Sequence, residues 1–502
     1  MELAQALAAR GTPIYATGGT YAHLRKYGVD AHEVAELTGF GSLLSGRVKT
    51  LHPRVFGGIL ADRDDPVHEG ERVRHGIPRI GIVVINLYPF EKTVAEAGAS
   101  LEEAIEQIDI GGVALIRAAA KNFEHVTVVV DPHQYGLIVG GDSADVAVRR
   151  LLATRAFERT AEYDSAIARY FGAGMAAADL PGSLALTLPI AMPLRYGENP
   201  QSRAAFYLPR TEFLPEQLGG KTLSYNNLLD LDATLRLMVR APLPADLIVP
   251  AGSDGLVRAA IVKHTIPCGV AERLEAAQAA RAALDADRVS AFGGVAALDG
   301  TVDLATAEVL AGVFLEIVAA HGFDDDAFAR LRRKKDLRLI RYDPKLPARL
   351  ARELRVRSAL GGLLAEDDDP KAAPERWRVA SHRQPTEDEL RALGFAWDVV
   401  RHVKSNGVAI VRDGVTRGIC AGQTNRVDAV RIAAGHAGEF ARGAACASDG
   451  FFPFRDGLDA AADAGCAAII APEGSIRDAE VVAAANERNV ALVFSSYRHF
   501  LH

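Results

Sequence analysis

The chain has 502 residues, more than one hydrophobic core usually organises, and this length predicts two or three domains. Hydrophobic residues make up 49 % and charged residues 24 %, a balance typical of globular proteins rather than disordered or fibrous ones. The formal net charge of −7 excludes a general attraction to nucleic acid or anionic membranes, so an anionic ligand must meet local basic clusters.

Cysteine usage and apolar patterning favour a cytoplasmic protein with reduced thiols. The cysteines lie far apart and lack the paired spacing of a zinc site or a small disulfide framework; they are Cys268, Cys420, Cys446 and Cys466. Neither a signal peptide nor an apolar run near the roughly 18 residues of a membrane span is found. We therefore expect neither secretion nor membrane insertion.

From residue 1 to about residue 139, short apolar runs alternate with helical patterns, which predicts a parallel α/β sheet. The apolar runs are Ile82–Leu87 and Val126–Val130, and the helical patterns are Glu2–Arg10, Glu102–Gln107 and Val113–Ala120. A Pro- and Gly-containing stretch, Leu180–Pro193, follows an Ala- and Arg-rich helical segment. We place a domain boundary there, giving domains 1–180 and 181–502.

The second domain contains a weak internal repeat. Ala259–Leu284 and Val408–Ala434 each run from an apolar strand through a Gly-containing turn into an Ala-rich helix, which predicts a duplicated subdomain. The charged segment Pro347–Arg376 between them, with its Pro and Gly residues, is expected to be a surface connector that separates the two halves.

Two segments of the first domain suit an anionic ligand. Thr17-Gly18-Gly19-Thr20 follows a short apolar run and predicts a turn whose backbone N–H groups face a phosphate. An unliganded turn is an equally common outcome for such a pattern. The irregular segment Ser45–Pro53 concentrates Arg47, Lys49 and Thr50, although a basic loop of this kind more often only faces water.

Four further polar residues are candidates in the same domain. Asn86 and Tyr88 follow the apolar run Ile82–Ile85, and open α/β sheets place ligands at the carboxyl ends of such strands. Asp109 and Lys121 stand at the two ends of a predicted helix. Taken singly, Tyr88 is more often structural and Lys121 is more often a surface charge.

The second domain carries denser motifs. Adjacent Lys263 and His264 follow an apolar strand and suggest proton transfer, although a lone histidine is more often structural than catalytic. The other motifs are Leu194–Pro200, Ser224–Asp230, Ser290–Gly294, Val403–Asn406, Ala421–Gln423, Ser448–Asp456 and Gly474–Asp478.

Taken in order, these segments resemble the bifunctional AICAR transformylase/IMP cyclohydrolase family from Thr17 to His502. The resemblance implies a methylglyoxal-synthase-like first domain and a second domain made of two cytidine-deaminase-like α/β/α subdomains. It also implies formyl transfer from 10-formyltetrahydrofolate to AICAR, closure of the product FAICAR to IMP, and a homodimer with transferase sites near the subunit interface. Small-molecule substrates are expected, and nucleic acid and membrane partners are not.

For the cyclohydrolase, the resemblance assigns two sets of residues. The ribotide phosphate would be held by Thr17, Gly18, Gly19 and Thr20, and the reacting base would be lined by Arg47, Lys49, Thr50, Asn86, Tyr88, Asp109 and Lys121. Ring closure needs an oxyanion stabiliser and proton donors, which Lys49, Tyr88 and Lys121 can supply. Asp109 can orient or deprotonate the amide, and the division of roles stays open.

For the transferase, His264 is the implied base, while Lys263 and Asn406 stabilise the tetrahedral oxygen or assist departure of the folate nitrogen. Substrate contacts are assigned to Arg195 and Arg498 at the ribotide phosphate, to Tyr196 and Asn227 beside them, and to Phe451, Pro453 and Asp456 on the folate side. The second thiol of a zinc deaminase is absent after Pro267-Cys268, so no catalytic metal is expected.

The chain departs from the family pattern at several places. A first strand that carries a Ser and a Lys near the phosphate is missing, because the chain starts directly in the helix Glu2–Arg10. Two alternatives follow: an active transferase joined to an impaired cyclohydrolase, or a first domain that only senses phosphate ligands. Smaller departures, which leave the proposed chemistry available, are Ile266, Asp336 and Ser495-Ser496-Tyr497.

Overall fold

The computed structural model describes residues 1–95, 100–172, 180, 182–208, 214–240, 244, 255–367 and 375–502. The chain divides into two compact units, Met1–Pro189 and Ile190–His502. The predicted boundary at 180/181 lies a few residues before this division, and Pro181 itself is outside the described residues.

The first unit contains ten α-helices and four short strands among its described residues. The helices are α1 (Glu2–Ala9), α2 (Gly18–Lys26), α3 (Val34–Thr38), α4 (Pro53–Leu60), α5 (Pro66–Arg74), α6 (Phe90–Ala95), α7 (Leu101–Glu106), α8 (Gly111–Lys121), α9 (Tyr135–Val139) and α10 (Val146–Gly172). The strands are β1 (Tyr15–Ala16), β2 (His32–Glu33), β3 (Ile82–Val84) and β4 (Thr127–Val129).

These strands pair in parallel, as the alternation of strands and helices predicts, but they form two separate two-stranded sheets instead of one continuous sheet. β1 pairs with β2, and β3 pairs with β4. The main core lies against β3 and β4, where fully buried residues of α8 and α10 such as Ile116 and Ala156 pack on Val128. The parallel direction fixes which strand ends carry the polar loops of this unit.

The second unit is built around one large mixed sheet. Its strands are β5 (Ile190–Leu194), β6 (Ala204–Tyr207), β7 (Glu216–Gly219), β8 (Val257–Lys263), β9 (Ile266–Arg273), β10 (Gly294–Leu298), β11 (Thr301–Val302), β12 (Leu315–Ala320), β13 (Gly322–Phe323), β14 (Arg338–Arg341), β15 (Arg355–Ala359), β16 (Gly362–Glu366), β17 (Trp377–Val379), β18 (Val408–Arg412), β19 (Val415–Cys420), β20 (Ala445–Ser448), β21 (Ala468–Pro472) and β22 (Ala491–Ser495). The helices are α11 (Tyr225–Arg236), α12 (Ala276–Ala286), α13 (Arg288–Ala291), α14 (Leu304–Ala311), α15 (Asp325–Arg332), α16 (Leu346–Leu350), α17 (Glu387–Val400), α18 (Arg426–Ala437), α19 (Asp456–Asp463) and α20 (Asp478–Glu487).

The order of strands in the 12-stranded sheet is β17-β22-β21-β20-β18-β19-β9-β8-β10-β12-β14-β7. The order is the same when read outward from its centre in both directions: an antiparallel hairpin, then parallel strands, then an antiparallel edge strand. This arrangement confirms the predicted duplication. Each predicted single strand is in fact a hairpin, β8–β9 in the first half and β18–β19 in the second.

Matching glycines explain how each half brings a helix onto its hairpin. A Cβ atom at Gly269 would lie 2.1 Å from the carbonyl oxygen of Ala283, and one at Gly418 would lie 1.9 Å from that of Ala433. No side chain fits at either point, so α12 and α18 approach the backbone of β9 and β19 directly. The Ala-rich helices of the sequence repeat are therefore a packing requirement.

The segment Pro347–Arg376 is more ordered than a simple connector. It includes most of α16 and the antiparallel hairpin β15–β16, while residues 368–374 lie outside the described residues. Within the described part of the chain, no helix is both long and apolar enough to cross a membrane.

Candidate functional site

In the first unit, three of the predicted segments meet around Lys49. A Cβ atom at Gly18 would lie 3.9 Å from Nζ of Lys49, and one at Gly111 would lie 3.0 Å from Oγ1 of Thr50. The turn at residues 17–20, the loop at residues 45–50 and the start of α8 are thus brought together. Two of these segments are helix N-termini, whose partial positive charge favours an anion.

The phosphate candidate has the local geometry that the sequence predicts. Thr17 is the N-cap of α2 in an extended conformation, and its side chain makes no capping hydrogen bond. Gly18 has φ +45°, which favours glycine, and Gly19 and Thr20 continue the first turn. The backbone N–H groups at this helix start are consequently not covered by a capping side chain.

Asp109 performs a structural task at the same place. Its carboxylate accepts a hydrogen bond from the Gly112 backbone at 2.7 Å, at the start of α8. Its own backbone N–H donates to the hydroxyl of Tyr163 at 2.9 Å, and that hydroxyl donates to the Gln107 carbonyl at 2.7 Å. Arg47 forms an ion pair with Glu106 nearby. These contacts fix the orientation of the carboxylate.

The other candidates of the first unit are divided between two ends of α8. Asn86 follows β3 and donates to the hydroxyl of Tyr135, which follows β4, at 2.9 Å. Tyr88 is exposed in the same post-strand loop. Lys121 is exposed in the last turn of α8, and the helical rise puts its Cα about 15 Å from that of Gly111. The structure does not bring Lys121 to the Lys49 group.

One group of possible metal ligands occurs among the described residues. Asp62, Asp64 and His125 place ligand atoms within 4.8 Å of one another, and both carboxylates are exposed. The group follows α4 and α8, whose C-terminal ends are joined by hydrogen bonds from the Asn122 side chain to the carbonyls of Ile59 and Ala61. It is therefore separate from the Lys49 group.

In the second unit, the transferase motifs collect along one edge of the large sheet. β8 ends at this edge and β18 begins there, because three successive antiparallel pairings separate the two strands. β20, β21 and β22 end at the same edge. The loops that follow them contain Phe451, Pro453, Asp456 and Arg498.

Lys263 and His264 form the tip of the β8–β9 hairpin. His264 and Thr265 both have positive φ, +55° and +63°, which is the conformation of a two-residue type I′ turn. Nζ of Lys263 donates to the Phe292 carbonyl at 2.7 Å. This contact holds the ammonium beside the start of β10, while His264 occupies the exposed turn.

Asp230, on α11, supports this turn and was not selected from the sequence, although it belongs to the motif Ser224–Asp230. Its carboxylate accepts the Thr265 backbone N–H at 2.7 Å. Burial raises the pKa of Asp230 above its usual 3.8, and the backbone N–H groups of Thr265 and His264 oppose that shift. The residue thus positions the imidazole through the backbone.

Asn406 lies at the same edge but further along it. Its side-chain amide donates to the Gln423 carbonyl at 2.8 Å, and its backbone N–H donates to the same oxygen at 3.1 Å. Two strands, β9 and β19, lie between it and His264, so the two residues are about 14 Å apart at the usual strand spacing. Lys263 and His264 are together, and Asn406 is not in contact with them.

The remaining substrate-binding candidates lie around this edge or beside α11. The Arg498 guanidinium stacks 4.5 Å from the Phe500 ring centroid, and that of Arg195 lies 5.7 Å from the ring of Tyr196. Asn227 is buried, and its amide oxygen accepts the Ser224 backbone N–H at 3.1 Å in the capping box of α11. The structure therefore gives Asn227 a helix-capping role.

Cys268 lies in β9, with its thiol directed into the protein. Burial is the main cause that raises its pKa to about 12, so the sulfur stays protonated at neutral pH. A protonated thiol is a poor metal ligand, since zinc binds the thiolate.

Comparisons with known proteins agree with this geometry. A family described as "AICARFT/IMPCHase bienzyme" matches residues 119–436, and a family described as "MGS-like domain" matches residues 1–114. The chain belongs to the AICARFT/IMPCHase family. The predicted resemblance and both predicted domain types are confirmed by these matches.

Two relatives show how much of the chain the similarity covers. The bifunctional purine biosynthesis protein PurH of Prochlorococcus marinus (strain MIT 9303) is 47% identical over 98% of this chain and 95% of the relative. The protein of the same name from Myxococcus xanthus (strain DK1622) is 46% identical over 100% of this chain and 98% of the relative. The crystal structure of ForH, 39% identical, covers 35% of this chain and 91% of its own, with a TM-score of 0.32.

Proposed function

We propose that this chain transfers a formyl group from 10-formyltetrahydrofolate to AICAR and then closes the product, FAICAR, to IMP with loss of water. Family membership over the whole chain supports both activities. The single observation that carries the transferase assignment is the Lys263–His264 turn, held by Asp230 and Phe292 at the edge where the other transferase motifs collect.

In the transferase step, the aryl amine of AICAR attacks the formyl carbon of the donor. The new N–C bond forms as the amine loses a proton, for which the neutral imidazole of His264 is the acceptor. The bond between the formyl carbon and the folate nitrogen then breaks, and that nitrogen takes up a proton. The Lys263 ammonium and the Asn406 amide are suited to stabilise the negative oxygen between these events.

A homodimer resolves the distance between these groups. Because Asn406 lies about 14 Å from His264 along one chain, a complete site requires either a large substrate that spans both or an Asn406 supplied by a second copy. We favour transferase sites near a subunit interface and a cytoplasmic location. Light scattering of the purified protein tests the first point: a monomeric mass at assay concentration contradicts it.

For ring closure, the group around Lys49 offers a phosphate site and an ammonium in one place. The helix start at residues 17–20 would hold the ribotide phosphate, and Lys49 would stabilise the oxygen that leaves as water. Asp109 is oriented by its capping contact, and Tyr88 is free to approach the base from its exposed loop. Lys121 would act here only through a change in the position of its side chain or of α8.

The test supplies each substrate separately. Purified FAICAR should yield IMP, and AICAR with 10-formyltetrahydrofolate should yield FAICAR. If the second reaction proceeds while FAICAR is bound but never closed, the first unit is a phosphate-sensing module or an impaired cyclohydrolase, and the bifunctional proposal fails.

A further inference from the structure

An exposed apolar strip at the transferase edge ends in a cation that no step above uses. The side chains of Phe451 and Phe454, after β20, and Ile476, after β21, are all exposed, and Ile476 is fully so. The guanidinium of Arg477 lies 4.8 Å from the ring centroid of Phe454. Since β20 and β21 are neighbouring parallel strands, their loops form one continuous surface.

The loop that presents Arg477 is held in shape by its own hydrogen bonds. Asp478 accepts the backbone N–H groups of Gly474 and Ser475 at 2.8 and 3.3 Å, and the Ser475 hydroxyl accepts the backbone N–H of Arg477 at 3.2 Å. The backbone is therefore fixed while the side chains of Ile476 and Arg477 project outward. A fixed, outward-projecting apolar residue next to a cation is suited to a ligand that is aromatic at one end and anionic at the other.

The ionic surroundings of Arg477 leave it able to accept an anion. Its partner is Glu480, one helical turn away at 3.3 Å, and both side chains are about half exposed. Exposed pairs of this kind contribute little free energy, so an incoming carboxylate can replace or share the contact. The nearby carboxylate of Asp459 is already paired with Arg455 and Arg488.

We propose that Arg477 binds the glutamate carboxylates of the folate donor, while Phe454 and Ile476 contact its aminobenzoyl ring. The inference rests on the proposed formyl transfer and adds the residue that recognises the tail of the donor. The tail lies beyond the reacting formyl group, so this contact changes donor affinity and leaves the chemical step unaltered. Polyglutamylated donors, which carry more carboxylates, gain most from it.

Equilibrium binding tests the proposal without turnover. Calorimetric titration of the full-length protein with tetrahydrofolate should show a Kd about fivefold higher for Arg477→Ala, the upper end for one exposed ion pair. Tetrahydropteroate, which lacks the glutamate, should bind both proteins equally. Arg477→Lys should keep part of the affinity, and the difference should shrink at high salt.

Arg155→Ala is the matched control, because Arg155 is an equally exposed arginine with the same helical spacing to its partner, Glu158, in the other unit. It should leave both Kd values unchanged. Equal losses for tetrahydrofolate and tetrahydropteroate in Arg477→Ala, or no loss for either, overturn the tail contact. If the unaltered protein transfers no formyl group to AICAR, the proposed function fails; if it does and Arg477→Ala binds normally, only this inference fails.

Discussion

Asp230 accepts a hydrogen bond from the backbone N–H of Thr265 at 2.7 Å, and this contact joins α11 to the turn that carries His264. Burial raises the pKa of Asp230 above 3.8, so its ionised form carries a folding cost. By linkage, stability present below pH 3.8 is lost as the pH rises through the higher folded-state pKa. The turn thus requires a hydrogen-bond acceptor at position 230 more than it requires a charge.

Replacing Asp230 with Asn and with Ala separates these two properties. Asp230→Asn keeps an acceptor and removes the buried charge, so we expect equal or higher stability at pH 7 and formyl transfer within about threefold of the unaltered protein. Asp230→Ala leaves the Thr265 N–H without its acceptor, at a cost of about 1–3 kcal/mol, and should lower kcat. Urea unfolding and transfer assays check both, and identical behaviour of the two variants contradicts the positioning role.

His264 should be required for the chemical step and not for ribotide binding. Because its φ is +55°, Asn is a better replacement than Ala, since Asn tolerates this conformation. We expect kcat for formyl transfer to fall about 10²- to 10⁴-fold in both variants, with AICAR affinity nearly unchanged. Turnover like that of the unaltered protein in His264→Asn removes the imidazole from the mechanism.

The sequence predicted local features well and long-range pairing poorly. The turn at Gly18 and the Lys263–His264 pair follow from residues that are adjacent in the chain. The distance to Asn406 depends on two intervening antiparallel strands, and no local pattern encodes their pairing. Asp230 was missed for a related reason, because its partner is a backbone N–H 35 residues further on. The two separate parallel pairs of the first unit likewise depend on tertiary arrangement.

The glycines under α12 and α18 give a stability prediction for the duplicated fold. Gly269→Ala and Gly418→Ala each place a methyl group about 2 Å from a helix carbonyl oxygen, so strand and helix must separate. We expect a loss of roughly 1–3 kcal/mol or more in the free energy of unfolding.

Gly435→Ala is the control, because Gly435 lies within α18 and a Cβ atom there meets nothing within 4 Å. This variant should gain up to about 1 kcal/mol from helix propensity. Chemical denaturation of the three variants measures both signs, and a neutral Gly418→Ala would show that the helix does not rest on the strand backbone.

A buried ion pair between the two halves predicts acid sensitivity. Arg258 on β8 donates to Asp398 on α17 at 2.7 Å, and both are almost fully buried. Burial alone would raise the pKa of Asp398, but the Arg258 guanidinium overcomes it and holds that pKa below 3.8. The stability it contributes is present above pH 3.8 and is lost as the pH falls through the folded-state value.

Asp398→Ala should therefore cost about 3–5 kcal/mol at pH 7, because it leaves a buried guanidinium without this partner. Asp428→Ala removes a comparable carboxylate from the exposed Arg431 and should cost less than about 1 kcal/mol. Unfolding measured from pH 7 to pH 3 should show a shallower acid limb for Asp398→Ala than for the unaltered protein. Parallel acid limbs would mean that another group controls the transition.

Lys49 and Lys121 provide the test that separates the two activities. Lys49 lies between the phosphate turn and α8, so Lys49→Ala should slow closure of FAICAR by about 100-fold or more while formyl transfer in the other unit continues unchanged. Lys121 stands at the far end of α8, about 15 Å away, and on this geometry Lys121→Ala should retain most closure activity. Assaying both half-reactions on each variant decides the matter: a loss in Lys121→Ala as large as in Lys49→Ala would show that α8 or the Lys121 side chain moves when the ribotide binds.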